Sequence, residues 1–226
     1  MKLLIDTADI KTIRKLYDLY QFDGVTTNPK ILSKVNGDPI DILKEIRDSI
    51  PEQSELHVQV VSDQADSMVE EANYILKELG RETHIKIPVC REGYQAIRRL
   101  SSAGVHVTAT AIFSQGQALM AAHEGATSVA PYLHRINNRG YDGMKTVLGI
   151  QELLAVQNYK TELLAAAFEN AGQVAAVLKA GVGSVTVAPE IWMEMLENSL
   201  TEDAVKDFYQ DFTTHFASKS MIGQHL

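Results

Sequence analysis

Short runs rich in β-branched residues alternate along this chain with longer stretches of helical period. The runs occupy residues 2–6, 24–28, 56–61, 84–88, 106–111, 128–133, 163–168 and 184–189, each of a length suited to a buried strand. Helical stretches lie between them, for example 63–79, 92–103 and 114–123. Within 63–79, Ala65, Met68, Val69, Ala72, Ile75, Leu76 and Leu79 recur at three- and four-residue steps, the spacing of one buried helix face. Gly80, Gly104, Gly125 and Gly181 stand where helices should stop. Eight strand–helix alternations predict an α/β protein with a parallel sheet and helices outside it.

Two closures of such a sheet compete. The segments HIKIPV (84–89), HVTATA (106–111) and SVAPYL (128–133) mix polar or small residues with apolar ones. That mixture suits strands with one face in a barrel lumen that carries chemistry. An open dinucleotide-binding sheet would carry a glycine fingerprint after an early strand, and LLIDTADI is followed by a helix without one. The pattern predicts a single (β/α)8 TIM barrel over residues 1–226. The turn-rich NNRGYDG at 137–143 reads as a loop after the sixth strand. Ala204, Val205, Phe208, Phe212 and Phe216 predict an extra C-terminal helix at about 203–216, packed on the barrel or on a neighbouring subunit.

Composition changes this picture little. With 226 residues, 45% hydrophobic and 22% charged, the chain can bury one sizeable core and is not of a disordered type. The net charge of −8 argues against nucleic acid or an anionic membrane as partner, since either requires a basic face. A small anionic substrate remains compatible. Cys90 is the only cysteine, which excludes an intrachain disulfide. Asp6 interrupts the first apolar run too early for a signal peptide, and no run approaches 18 apolar residues. A soluble cytoplasmic protein is expected.

Lys86 is the most informative candidate. It lies mid-strand in His84-Ile85-Lys86-Ile87-Pro88, where burying an ammonium costs several kcal/mol unless it is paired or neutralised. Desolvation lowers a lysine pKa and frees the amine as a nucleophile. A structurally paired lysine is the bland alternative. Asp6 ends the first strand, where barrels expose catalytic groups, or else caps the next helix. Beside Lys86 it would raise the lysine pKa while burial lowers it, and spacing does not say which effect wins. Thr26 and Asn28 share one face of an extended strand and suit sugar hydroxyls, with an Asx turn at Asn28 as the alternative. Gln59 and Thr110 are polar groups in apolar strands and need hydrogen bonds if buried. Tyr132 and Arg135 close the sixth strand. The histidines show no metal-ligand spacing, and there is no P-loop, G-x-S-x-G elbow or C-x-x-C. A metal, nucleotide or serine-hydrolase reading therefore has little support.

Taken together these residues resemble the small transaldolase family, especially its fructose-6-phosphate aldolase branch. The motifs are GVTTNP at 24–29, VQV at 58–60, IKIPV at 85–89, TATAIF at 108–113 and APYLHRI at 130–136. The resemblance implies a class I aldolase or transaldolase that needs no cofactor. Lys86 would form a Schiff base with the C2 ketone of a ketose, and Asp6 would assist proton transfer. Thr26 and Asn28 would bind hydroxyls. Gln59, Thr110 and Tyr132 would hold the catalytic water, with Tyr132 as general acid/base. Cleavage between C3 and C4 would leave a dihydroxyacetone unit on Lys86, to be released or passed to an acceptor aldehyde. Arg135 matches the arginine that holds a terminal phosphate.

After the seventh strand the sequence departs from the family pattern. It has Ala167-Phe168-Glu169 where serine, phenylalanine and a basic residue are usual. Lys30 and His134 are candidates to compensate. A phosphate held differently, a sulfonate as in sulfofructose, or an uncharged tail are the alternatives, and Arg135 favours an anion. A non-catalytic sugar-phosphate barrel and a cofactor-free isomerase using Asp6 or Tyr132 are the competing classes. Family members assemble as rings, often decamers, so a homo-oligomer is expected.

Overall fold

The computed structural model describes residues 1–216 and 219–222. Its elements run β1 (Lys2–Asp6), α1 (Ile10–Leu19), β2 (Gly24–Thr26), α2 (Pro29–Leu32), α3 (Pro39–Asp48), β3 (Glu55–Gln59), α4 (Ala65–Leu79), β4 (His84–Pro88) and α5 (Arg91–Ser102). The order continues with β5 (Val107–Ile112), α6 (Gln115–His123), β6 (Ser128–Pro131), α7 (Leu133–Asn137), α8 (Gly143–Val156), β7 (Glu162–Ala165), α9 (Ala171–Lys179), β8 (Ser184–Val187), α10 (Pro189–Leu196) and α11 (Ser199–Phe216). The strands close in sequence order, each parallel to its neighbours, with β1 paired to β8. This is the (β/α)8 barrel that the alternation predicted. Residues 137–143 span the end of α7, a turn and the start of α8.

The chain divides into two compact units, Met1–Ile191 and Trp192–Leu226. The first carries the barrel. In the second, α11 starts at Ser199 rather than near residue 203, and none of its residues is buried. Phe208 and Phe216 are exposed. No helix among the described residues is long and apolar enough to cross a membrane.

Strand ends follow local chemistry. The polar ladder of β2 stops at Thr26, because Asn28 caps α2 by accepting a hydrogen bond from Ile31 N, with Pro29 at the first helical position. Asp9, not Asp6, caps α1 by accepting from Thr12 N. Asp6 is thereby free to face the lumen. Glycine is required at Gly93, where an added Cβ would lie 1.9 Å from the Pro88 carbonyl oxygen, and at Gly24, where it would lie 2.4 Å from that of Glu55.

The lumen is stratified. At its middle, Leu4, Ala130 and Leu164 form a small apolar cluster between strands that are not all neighbours. Below it, at the strand starts, Lys2 reaches across the barrel to Glu55 (2.8 Å) and Glu162 (2.7 Å). The buried ring of His57 lies 3.0 Å from Glu55 through Nε2 and 2.9 Å from the Thr108 hydroxyl through Nδ1. It stacks on His84, which stacks in turn on His106. Above the cluster, at the strand ends, lie the predicted site residues.

Candidate active site

Lys86 is buried, with 5% of its surface exposed. Its register partners are Gln59 on β3 and Thr108 on β5. Nζ donates to the carbonyl oxygen of Thr27 at 2.7 Å. Burial pushes the Lys86 pKa below the ordinary lysine value of 10.5, and the nearby Asp6 carboxylate opposes this without reversing it. The opposition between burial and charge left open by the sequence is thus resolved in favour of burial. The result is an amine held in place by a single carbonyl, with its nucleophilic form favoured.

Asp6 sits at the end of β1, in register with Thr26. Burial raises its pKa above the usual aspartate value, with Lys86 and the Thr26 hydrogen bond acting in the opposite direction. Thr26 is fully buried, and its hydroxyl donates to Asp6 Oδ1 at 2.6 Å while lying 2.6 Å from the Thr186 hydroxyl. Thr26 thus holds the Asp6 carboxylate in place. Sequence reasoning missed Thr186. Its signal was the same as that of Thr110, a polar side chain on the inward parity of an apolar strand.

Tyr132 Oη lies 2.9 Å from Thr110 Oγ1. Its ring meets the edge of Phe113 and carries the Arg135 guanidinium 4.7 Å from its centre. Backbone strain helps to place this group. Ala111, directly after Thr110, takes a left-handed φ of 57°, and the β5–β6 register shifts between Ala109 and Ile112. A bulge of this kind re-aims neighbouring side chains. Ala167 has the same φ, and its carbonyl accepts from His134 N. On β3, Gln59 Oε1 is buried with no hydrogen-bond partner among the described residues. A buried acceptor in that state costs free energy, so it is suited to a hydroxyl supplied by substrate or solvent.

A cavity of about 780 Å³ opens beside Asp6. Asp6 and Asn28 lie in its lining, with Lys30, His134 and Arg135 farther out. Lys34, which the sequence did not single out, lines it as well. Asn28 spends its Oδ1 on capping α2, which leaves its amide NH2 for a ligand. His134 is not a free cation: Nδ1 faces Glu169 at 3.0 Å and Nε2 faces the Asn138 amide nitrogen at 2.8 Å. The raised carboxyl of Asp6 and the cations thus share one open space, with the buried Lys86 amine interacting with that carboxyl, near the strand ends where barrel enzymes carry their chemistry.

The model of the family described as transaldolase/fructose-6-phosphate aldolase matches residues 3–225. The chain belongs to that family. It is 36% identical over 212 residues to a probable transaldolase of Symbiobacterium thermophilum, covering 94% of this chain and 97% of the relative. A probable transaldolase of Nitrosopumilus maritimus is 35% identical over 215 residues, with 94% and 95% covered. One from Paracoccus denitrificans is 32% identical over 212 residues, with 94% and 96% covered. Among solved structures, an enolase-superfamily member from Agrobacterium tumefaciens superposes with a TM-score of 0.63 at 13% identity. That match covers 86% of this chain and 51% of the other, and shows a shared barrel only. As a transaldolase-family enzyme, the protein performs aldol chemistry of the cleavage or transfer type.

Away from this site, the transaldolase barrel brings Glu55, His57 and His84 together, with ligand atoms within 4.8 Å of one another. These are metal-binding residue types that sequence spacing did not reveal, because they come from two strands. The Lys2 ammonium on the same carboxylate and the stacked rings work against a shared ion there.

Proposed function

We propose that the protein is a lysine Schiff-base aldolase or transaldolase acting on a ketohexose substituted at C6, of the fructose 6-phosphate type. It cleaves the C3–C4 bond and releases or transfers a dihydroxyacetone unit. One observation carries the reading: Lys86 is buried, its pKa is depressed by that burial, and it interacts with Asp6, which lines the cavity.

The chemistry follows from that amine. Lys86 Nζ adds to the C2 carbonyl, and loss of water gives an iminium ion. Removal of the proton from the C4 hydroxyl then breaks C3–C4, the bonding electrons flow into the iminium, and an aldehyde departs. Asp6, held by Thr26, is placed to take that proton, its raised pKa suiting it to proton exchange. The remaining enamine is protonated at C3 and hydrolysed, or its C3 attacks an acceptor aldehyde. Tyr132, bonded to Thr110, is the acid/base for steps that make or consume water, and Gln59 offers its unpaired acceptor to that water. Asn28 binds a substrate hydroxyl. Arg135 and Lys30 receive the C6 substituent, with His134 beside them. The iminium is the electron sink, so the reaction needs no cofactor. The working form is a homo-oligomer, a decamer by family resemblance.

Borohydride reduction in the presence of fructose 6-phosphate or dihydroxyacetone tests the mechanism. A reduced adduct mapped to Lys86 by mass spectrometry is expected, and its absence, or an adduct on another lysine, refutes it. Light scattering at micromolar concentration checks the assembly, where a monomer would contradict the oligomer.

A further inference from the structure

The cavity lining carries charges of both signs. Lys30 and Lys34, from the segment after β2, and Arg135, from α7, supply the cations. Asp6, Asp9 and, at the start of α10, Glu190 supply carboxylates. Glu169, 3.0 Å from His134 Nδ1, thus adds a carboxylate beside a residue of the cavity lining.

The helix end that could have held an anion here is closed on itself. The loop after the seventh strand and a nearby helix N-terminus commonly cradle phosphate in such barrels. In this chain Asn170 Oδ1 accepts from Gln173 N, and Gln173 Oε1 accepts from Glu169 N. Those donors are spent on capping α9.

We propose that Glu169, next to the cavity-lining His134, is a specificity-determining residue that weakens the positive potential from Lys30, Lys34 and Arg135, and so selects a ketose whose terminal group carries a single negative charge over one carrying two. This rests on the aldolase reading for the identity of the substrate. The physical reason lies in two scalings. Attraction to a positive potential grows in proportion to the ligand's charge, whereas the cost of desolvating that ligand grows roughly with its square. A weaker potential therefore moves the optimum toward lower charge. A sulfonate or a carboxylate meets the requirement, and a phosphate monoester near pH 8 exceeds it.

The scaling also gives the test a distinctive signature. Removing the Glu169 charge raises the potential, which helps a dianion twice as much, in logarithmic terms, as a monoanion and leaves a neutral sugar unaffected. Dissociation constants for fructose, 6-deoxy-6-sulfofructose and fructose 6-phosphate are measured by calorimetry at pH 8 on wild type, Glu169→Gln and Glu169→Asp. Wild type should bind the sulfonate most tightly. For Glu169→Gln, unchanged binding of fructose, about threefold tighter binding of the sulfonate and about tenfold tighter binding of the phosphate are expected. Glu169→Asp should restore most of the wild-type ranking. An equal change for all three sugars, or wild type preferring the phosphate with no change in Glu169→Gln, overturns the proposal. Borohydride trapping on the same samples separates the two ideas. An adduct without the charge-graded response leaves the reaction and removes the role of Glu169; the graded response without an adduct does the reverse.

Discussion

Two lysines project into the same barrel from opposite ends, and their environments push them in opposite directions. Lys2, at the strand starts, is partly desolvated, which lowers its pKa, yet hydrogen bonds and charge from Glu162 and Glu55 outweigh this and raise it. Lys86, near the strand ends, is more deeply buried, with one carbonyl at Nζ and a carboxylate acting only at a distance, and its pKa falls. A paired ammonium is a strut, whereas an amine deprived of both water and a close counter-ion is a nucleophile. One end of the lumen is arranged to stay charged, and the other, on the proposed mechanism, to react.

Lys86→Met should break this contrast most completely. Turnover is expected to fall by at least about four orders of magnitude, as when a nucleophile is removed elsewhere. The protein should stay folded, because an apolar side chain suits that burial, and circular dichroism checks this. Tyr132→Phe keeps the ring that supports Arg135 and removes only the hydroxyl. A loss of about 10²- to 10³-fold in kcat is expected, and an unchanged kcat would remove Tyr132 from the acid/base role.

The pH dependence sharpens the comparison at each end. At the reactive end, kcat/KM should rise as Lys86 loses its proton, on a limb below the ordinary lysine value of 10.5. Since Asp6 holds that pKa up, Asp6→Asn should move the limb to lower pH as well as slow the reaction; a limb that stays put would show that the two groups are not coupled. At the structural end, His84 is held down at about 3, through burial first and the charge of His57 second. Below its ordinary value of 6.5 the unfolded chain binds a proton that the folded protein refuses. Stability is therefore lost as pH falls from 6.5 toward 3, at up to about 1.4 kcal/mol per pH unit. Glu55, lowered to about 2, adds a further loss below its usual 4.5. His84→Gln should flatten the urea midpoint between pH 6.5 and 4.5, and an unchanged slope would refute that assignment. The smallest effect is expected of Lys2→Met. The pair is partly exposed and screened, so a loss of about 1 kcal/mol or less is expected, with kcat untouched.

Much of the fold was legible in the chain. Strands at 2–6 and 84–88 appear with the predicted ends, and the others differ mainly at their edges. The largest overshoot follows β7, where residues 166–168 were read as strand, and residues 132–133 after β6 were overread beside it. There Tyr132 and Ala166 make only an isolated bridge and Ala167 turns left-handed. Hydrophobic period carries no information about such a turn. In the proposed site, Lys86, Asp6, Gln59 and Thr110 were singled out because polar residues on the inward parity of apolar strands are conspicuous, and Tyr132 because it follows the sixth strand. What Thr26 does with its hydroxyl was not, since its partners Asp6 and Thr186 lie 20 and 160 residues away. Lys34 escaped notice because an exposed lysine beside a short helix looks like any other surface cation.

The sequence alone determined the barrel, through the alternation of buried strands and amphipathic helices, and it singled out Lys86, the proposed nucleophile. Tertiary structure decided the protonation bias of that lysine, the occupation of Thr26 by Asp6, and the pairing of His134 with Glu169. The physical reason is common to all three. Burial and charge–charge distance are properties of where strands meet in space, and a lysine, a threonine or a histidine acquires its role from neighbours that only the closed barrel brings within a few ångströms.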